Sequence, residues 1–243
     1  MPGRADALRA LALVIPAYQA AATVGEVATR ARRVLPGARC YVVDDGSEEG
    51  TAAAARAAGA DVLTHAINCG KGAALATGIA RAVADGAETL VTLDADGQHL
   101  PEEIPKLIEP IARGAADLVL GARPRSGRMP LGRRFTNWLS GALASRLGVP
   151  VPDAQTGFRA FTRALALAVQ PPESRYDYET AFLLAALAAG YRVASVAVAT
   201  VYNGERSHFR YLADTWRLAR VFSRFGRRIV LGAEGEGGSG RSA

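Results

Sequence analysis

Short apolar runs alternate with helical patterns along the first half of the chain. The apolar runs have the length of buried strands and lie at 11–15, 40–43 and 90–93. The helical patterns between them lie at 23–35, 51–58 and 72–84 and end at or near a glycine. Strands that alternate with helices predict an α/β domain built on a mostly parallel sheet, with a ligand crevice at the carboxyl edge of the strands.

The alternation continues beyond residue 100. Pro101 and the two acids after it are typical of the first turn of a helix, and 117–121 predicts a further buried strand. The long apolar stretch 181–201 is interrupted by Gly190-Tyr191-Arg192, where the pattern changes from helical to alternating. We therefore expect a helix followed by a strand there, and no transmembrane segment. The run at 11–15 is too short for the apolar core of a secretion signal.

The segment 209–231 has the pattern of an amphipathic helix. One face is apolar, and arginines form a stripe on the adjacent arc: Arg217, Arg220, Arg224, Arg227 and Arg228. Such a helix either lies in a membrane interface or packs against the domain or another subunit, and both interpretations stay open. The Gly- and Ser-rich end of the chain is expected to be disordered.

Two carboxylates follow the third apolar run. Asp94 and Asp96 are two positions apart, Gly97 permits a turn, and Gln98 adds an amide oxygen. Side chains two apart on an extended segment point the same way, so both carboxylates converge on one hard divalent cation, Mg²⁺ or Mn²⁺, whose other positions suit a diphosphate. The alternative is a solvated turn at a strand end, where Asp and Gly are ordinary residues.

The second apolar run also ends in carboxylates, Asp44 and Asp45. At the carboxyl end of a strand they are suited to accept hydrogen bonds from base N–H and ribose hydroxyl groups, although they could instead cap the next helix. For Ser47 the cap is the favoured interpretation. Lys71, between two glycines at the start of a helical pattern, is placed either to meet phosphate oxygens or to be solvated.

The charge of the chain narrows the classes of partner. The 243 residues carry a net charge of +6, and Lys71 and Lys106 are the only lysines. Arginine forks match phosphates, which favours a sugar nucleotide, a lipid phosphate or a membrane surface as the partner. No basic run is interleaved with aromatics, so we expect no nucleic-acid partner. Cys40 and Cys69 lack metal-ligand spacing and predict free thiols in a reducing cytoplasm.

In this order, and together with Asn68-Cys69-Gly70-Lys71-Gly72, these segments resemble the nucleotide-sugar half of the family 2 glycosyltransferases. The resemblance covers about residues 10–205 and rests on several independent motifs. It implies a single GT-A domain, which is a Rossmann-like α/β fold with a mostly parallel sheet and flanking helices. We therefore divide the chain into a nucleotide-sugar transferase domain at 1–205, a basic amphipathic helix at 206–231 and a tail at 232–243.

The resemblance also implies roles for individual residues on the donor side. The matching residues of the family bind the base, or the metal that bridges the donor's two phosphates. In this chain they are Pro16, Ala17 and Tyr18 at the base pocket, Asp44 or Asp45 at the base itself, and Asp94, Asp96 and Gln98 at the metal. The family usually continues after the first of these segments with Asn-Glu, whereas this chain has Gln19-Ala20 and so lacks that acidic contact to the nucleotide. The choice between UDP and GDP as the donor nucleotide therefore stays open.

Downstream residues resemble the acceptor side of the subgroup that glycosylates polyprenyl phosphates, typified by dolichyl-phosphate mannose synthase. That subgroup places arginines around the lipid phosphate. The residues that carry the resemblance are Arg123, Arg133, Arg134, Asn137 and the run from Asp153 to Arg159. Arg206, in Glu205-Arg206-Ser207-His208, resembles the subgroup's basic loop near the diphosphate, and for His208 an exposed loop histidine is an equal interpretation.

These observations predict a metal-dependent, inverting transfer of a hexose from a nucleotide-sugar to a polyprenyl phosphate. A phosphate monoester has a second pKa of about 6, so the acceptor is already an anionic nucleophile and requires no general base. One alternative is a hydroxyl acceptor with Asp153 as the base, and another is a nucleotide-binding subunit without activity. A homo-oligomer, a membrane-protein partner and a peripheral contact at the cytoplasmic membrane all fit the sequence.

Overall fold

The computed structural model describes residues 10–123, 153–172, 175 and 177–201. The strands in these ranges are β1 Leu11–Ala17, β2 Arg39–Asp44, β3 Asp61–Thr64, β4 Thr89–Thr92, β5 Leu118–Ala122, β6 Arg159–Thr162 and β7 Val193–Ala197. The helices are α1 Val24–Val34, α2 Thr51–Ala57, α3 Lys71–Ala84, α4 Ile104–Ala112, α5 Arg163–Ala168 and α6 Tyr178–Ala188, with a 3₁₀ turn at Pro101–Glu103 before α4.

The described strands form one mixed sheet in the order β3-β2-β1-β4-β6-β5-β7. The pairs around β1 and β2 are parallel, and so is the pair of β5 with β7. This confirms the expected α/β architecture with a mostly parallel sheet. The exception is β6, which runs antiparallel to both β4 and β5 and was not predicted. Its insertion brings the loop before β6 against the carboxyl end of β4.

Two further differences from the prediction have local causes. Strand β3 was missed because it is a four-residue edge strand whose side chains are only partly buried, so its apolar pattern is weak. Strand β4 ends at Thr92, and Asp96 lies in a turn beyond it. The expectation that Asp94 and Asp96 lie on an extended segment is therefore wrong.

Both faces of the sheet carry an apolar core. Alternate residues of β1 point to opposite faces, with Leu13 and Ile15 in one cluster and Val14 in the other. Helices α1 and α4 cover the first face, while α3 and α6 cover the second. Each large aliphatic side chain buried in this way stabilises the fold by about 2 kcal/mol.

The long apolar stretch near residue 181 is a core helix followed by a strand, as predicted. Helix α6 is buried on nearly all sides, Gly190 follows it with a φ of 78°, and β7 begins at Val193. Because the helix packs inside the domain, it needs no polar face. Within the described ranges, no helix is long and apolar enough to cross a membrane.

Helix α3 lies unusually close to the sheet. A Cβ at Gly78 would lie 2.4 Å from Val14 Cγ1 and 3.0 Å from Val43 Cγ2, so only glycine permits this approach. The close packing sets the N-terminus of α3, which begins at Lys71, beside the carboxyl edge of β1 and β2.

Candidate functional site

A cavity of about 410 Å³ lies at the carboxyl edge of β1, β2 and β4. The residues predicted from the sequence that line it are Pro16, Ala17, Tyr18, Asp45, Lys71, Asp94, Asp96, Gln98 and Arg123. Two more of them, Asp44 and Asp153, are buried outside its lining. Arg134 and Arg206 lie outside the described residues, as do Arg133, Asn137, the helix at 206–231 and the tail.

The segment after β1 is held in place by side chains of the loop that follows β2 and of the first residue of α2. Three consecutive backbone N–H groups at 19–21 donate to Ser47 Oγ at 2.9 Å, Thr51 Oγ1 at 2.9 Å and Glu49 Oε2 at 3.1 Å. Gln19 adopts a φ of 51°, a left-handed conformation that is costly for a residue other than glycine. The expectation that Ser47 caps the next helix is wrong, because no side chain caps α2 and Ser47 holds Gln19 instead.

The two neighbouring aspartates after β2 have different partners. Asp44 Oδ1 accepts from Ser47 N at 3.1 Å and so closes the turn. Asp45 accepts from Cys69 N at 2.9 Å and Gly70 N at 2.7 Å, which ties it to the loop that precedes α3. Of the pair, Asp45 is therefore the residue that faces the cavity.

Asp45 also belongs to a mixed cluster with His65 and Cys69, whose ligand atoms lie within 4.8 Å of one another. His65 Nδ1 is 2.7 Å from Asp45 Oδ1, and Nε2 is 3.0 Å from Thr77 Oγ1. The Cys69 thiol donates to Ile67 O at 3.4 Å. These hydrogen bonds account for the proximity of the three groups, and we interpret the cluster as an anchor for the loop before α3.

The acidic turn after β4 is shaped by its own hydrogen bonds. Asp96 Oδ1 accepts from Gln98 N at 2.9 Å, and Gly97 has a φ of 71°. This turn, rather than an extended segment, brings Asp94, Asp96 and Gln98 to one cavity. Two carboxylates and an amide oxygen fit the preference of a hard divalent cation for oxygen ligands. The donor set is thus compatible with Mg²⁺ or Mn²⁺.

Lys71 lies between two carboxylates. Its Nζ is 2.7 Å from Asp94 Oδ1 and 2.7 Å from Glu179 Oε1. Burial alone would lower the pKa of Lys71, but the two carboxylates raise it above its ordinary value. Burial would likewise raise the pKa of Asp94, yet the ammonium of Lys71 holds it below its usual range. The alternative of a solvated lysine is therefore wrong.

Arg123 and Asp153 form a two-point ion pair. Arg123 Nε donates to Asp153 Oδ2 at 2.6 Å and Nη2 donates to Oδ1 at 3.2 Å. Arg123 lines the cavity, and Asp153 lies behind it. A proton transfer to Asp153 would have to break this charge-assisted pair. The geometry thus speaks against Asp153 as a general base.

Arg159 was expected among the arginines at the acceptor side, but its guanidinium is buried and bonded to main-chain carbonyls. It donates to the backbone oxygens of Thr156 at 2.7 Å, Ala154 at 2.8 Å and Glu179 at 2.7 Å. Arg159 therefore ties the loop before β6 to the first turn of α6. This is a structural role, which the sequence motif did not distinguish from a ligand contact.

His99, Arg175 and Glu179 also line the cavity, although the sequence analysis assigned them no role. Arg175 and Glu179 belong to a charged segment immediately before and at the start of an otherwise apolar helix. From this pattern the sequence could have predicted that they lie at a site. The ring of His99 lies 5.2 Å from that of Phe158, and burial lowers the pKa of His99 to about 4. Its imidazole is therefore neutral at pH 7.

The end of the described chain is attached to the acidic turn. Val201 N donates to Gln98 O at 2.9 Å, and Thr200 forms a backbone bridge with His99. The segment that carries Arg206 thus follows a residue that is hydrogen-bonded to the candidate metal turn.

Comparisons with known proteins give the family of the chain. The chain is 31% identical over 191 residues to the dolichyl-phosphate hexose transferase of Haloferax volcanii, which covers 77% of this chain and 81% of that protein. It is 35% identical over 159 residues to the undecaprenyl-phosphate mannosyltransferase of Micrococcus luteus, which covers 61% of this chain and 64% of that protein. The chain thus spans less than two thirds of the Micrococcus protein.

A solved structure shares the fold. Glucosyl-3-phosphoglycerate synthase from Mycobacterium tuberculosis, in complex with Mn²⁺, uridine-diphosphate-glucose and phosphoglyceric acid, gives a TM-score of 0.72 at 25% identity, with 93% of this chain and 85% of that chain covered. The similarity confirms the expected GT-A fold. The profile named Glycosyl transferase family 2 matches residues 12–167, which is more than half of the chain. The protein therefore belongs to glycosyl transferase family 2.

Proposed function

We propose that this protein is a metal-dependent, inverting hexosyltransferase whose donor is a UDP- or GDP-hexose and whose acceptor is a polyprenyl phosphate. One observation carries the proposal: the carboxylates of Asp94 and Asp96 face the same cavity as the cationic side chains of Lys71 and Arg123. A cavity that offers both oxygen ligands for a cation and cations for phosphates suits the substrates of a sugar-nucleotide reaction.

The proposed donor would bind where the ends of β1 and β2 and the start of α3 line the cavity. The segment 16–18 and Asp45 would receive the base, since they lie together at the carboxyl edge of the sheet. Lys71, at the N-terminus of α3, is suited to the phosphates. Asp94, Asp96 and Gln98 would hold Mg²⁺ or Mn²⁺, which offsets the charge on the leaving nucleoside diphosphate.

The acceptor half rests on Arg123 and on the names of the relatives. Arg123 lines the cavity, and a second arginine, Arg175, lines it as well. Arginines orient a phosphate for in-line attack without proton transfer, and the engaged carboxylate of Asp153 supports a nucleophile that needs no base. The Haloferax and Micrococcus relatives are named for dolichyl-phosphate and undecaprenyl-phosphate transfer. Arg134 remains a sequence-derived candidate for the same phosphate, and Arg206 one for the diphosphate of the donor.

A second acceptor class has a specific observation in its favour. The mycobacterial structure with the same fold contains phosphoglyceric acid, a small anionic acceptor, beside uridine-diphosphate-glucose. The arginines of the cavity would suit that acceptor too. A polyprenyl phosphate lies in a membrane, so the first proposal includes a peripheral contact at the cytoplasmic membrane, for which 206–231 is the candidate segment.

A direct assay tests the proposal. Purified full-length protein with Mn²⁺ would be given UDP- and GDP-hexoses, each with a polyprenyl phosphate in vesicles or with 3-phosphoglycerate. We expect transfer to the polyprenyl phosphate with inversion at the anomeric carbon, read by NMR of the product. Transfer to phosphoglycerate alone would show that the acceptor is a small anionic molecule and not a polyprenyl phosphate. Transfer to neither acceptor from any donor would refute the proposed activity.

A further inference from the structure

Lys71 joins two elements that the proposed donor site brings together. Asp94 belongs to the turn after β4 and Glu179 to the first turn of α6, and each has a carboxylate oxygen 2.7 Å from Lys71 Nζ. All three residues line the cavity. Glu179 is 4% exposed, so its charge has little access to solvent and depends on this partner.

The ammonium of Lys71 would repel a cation that binds at Asp94. A divalent ion held by Asp94 and Asp96 would stand beside an ammonium that is bound to the same carboxylate. Like charges repel strongly across a few ångströms when both groups are mostly buried, as the side chains of Lys71 and Asp94 are. A diphosphate has the opposite effect, because its oxygens attract the ammonium of Lys71 away from Asp94.

We propose that the ammonium of Lys71 stays paired with the carboxylate of Asp94 until a diphosphate binds the ammonium, so that metal and donor bind cooperatively, and that Glu179 shares the charge of Lys71 with Asp94. The proposal rests on the nucleoside-diphosphate donor proposed above. A ligand that draws the ammonium of Lys71 away from Asp94 raises the affinity of the protein for the metal. By thermodynamic linkage, the metal raises the affinity for that ligand by the same factor.

Metal binding without nucleotide gives the first test, read as free Mn²⁺ by electron paramagnetic resonance. Lys71→Met removes the competing ammonium, so Mn²⁺ should bind about ten-fold more tightly than to the wild type. Lys71→Arg keeps the charge and should bind like the wild type. In Glu179→Gln the ammonium of Lys71 has only the carboxylate of Asp94 as its partner. The ammonium should therefore compete more strongly with the metal, and Mn²⁺ should bind more weakly. Lys106→Met is the matched control, because Lys106 lies on α4, is exposed and is paired with Glu103.

A double variant keeps the test valid if Lys71→Met does not fold. Lys71→Met with Glu179→Gln removes one cation and one anion, so the net charge of the cavity does not change. Mn²⁺ should still bind more tightly than to the wild type, because the removed ammonium contacts Asp94 directly, whereas Glu179 reaches Asp94 only through Lys71. Equal or weaker binding in both Lys71→Met variants, or no measurable binding in either, overturns the proposal.

Binding with UDP or GDP gives the second test. In the wild type either nucleotide that binds should tighten Mn²⁺ binding, and this enhancement should be smaller in Lys71→Met. An equal enhancement in both proteins overturns the cooperative role of Lys71. If neither nucleotide binds the wild type with Mn²⁺ present, the proposed donor fails instead, and the nucleotide-free measurements still decide whether Lys71 competes with the metal.

Discussion

Gly157 lies directly against the carboxylate of Asp94. A Cβ at position 157 would be 2.4 Å from Asp94 Oδ1 and 2.6 Å from Oδ2. The carbonyl of Gly157 accepts from Thr92 Oγ1 at 2.7 Å, so the loop before β6 is fixed to the end of β4 at this point. The geometry of the candidate metal turn therefore depends on a residue without a side chain in a distant part of the sequence.

We expect Gly157→Ala to displace Asp94 and to lower Mn²⁺ affinity and transfer by about ten-fold or more, because a displacement of an ångström at a reacting site is costly. Overpacking should also cost about 1–3 kcal/mol of stability, read as a lower Tm. Gly50→Ala is the matched control, since a Cβ at Gly50 meets nothing within 4 Å. Wild-type metal affinity in Gly157→Ala would show that the contact is unimportant.

Asp96→Asn should abolish transfer with the fold intact, because the change removes a charge but little volume. Two unit charges about 4 Å apart at an effective dielectric near 20 interact by roughly 4 kcal/mol, which is enough for a large loss of rate. The checks are the transfer assay and the circular dichroism spectrum, with exposed Asp61→Asn as the control. Near-normal turnover in Asp96→Asn, or full activity of the wild type in excess EDTA, would contradict the metal assignment.

Asp153→Asn separates the two acceptor chemistries. Loss of Asp153 from the largely buried pair with Arg123 should cost about 3 kcal/mol of stability, because the guanidinium loses the carboxylate that accepts two of its hydrogen bonds. If the nucleophile is a phosphate, the residual activity should keep the pH dependence of the wild type. The measurement is a pH profile of the rate in both proteins. Strong loss that is rescued at high pH, with turnover on a hydroxyl acceptor, would instead identify Asp153 as a base.

The two cysteines should differ in reactivity. Burial raises the pKa of Cys40 to about 12, so at pH 8 almost none of it is thiolate in the native protein, whereas Cys69 is exposed. A thiol reagent at pH 8 should therefore label one thiol quickly, and the second only after unfolding in denaturant. Cys69→Ser should remove the fast phase. A fast phase that persists in Cys69→Ser would show that Cys40 is accessible.

The sequence by itself determined the elements whose signals are local. The apolar runs that became β1, β2 and β4, and the helix and strand around Gly190, were predicted because burial periodicity and turn residues act over a few positions. The same signals predicted that carboxylates gather at one edge of the sheet, since parallel strands present their carboxyl ends together.

Only the tertiary structure decided how those residues are used. The loop before the antiparallel strand β6 brings Gly157 to Asp94, and helix α6 brings Glu179 to Lys71, so both contacts join segments that are far apart along the chain. The different partners of Asp44 and Asp45, and the main-chain contacts of Arg159, depend equally on packing. Charge and hydrogen-bonding capacity are properties of a residue type, but which partner satisfies them in a buried cavity is fixed by the fold.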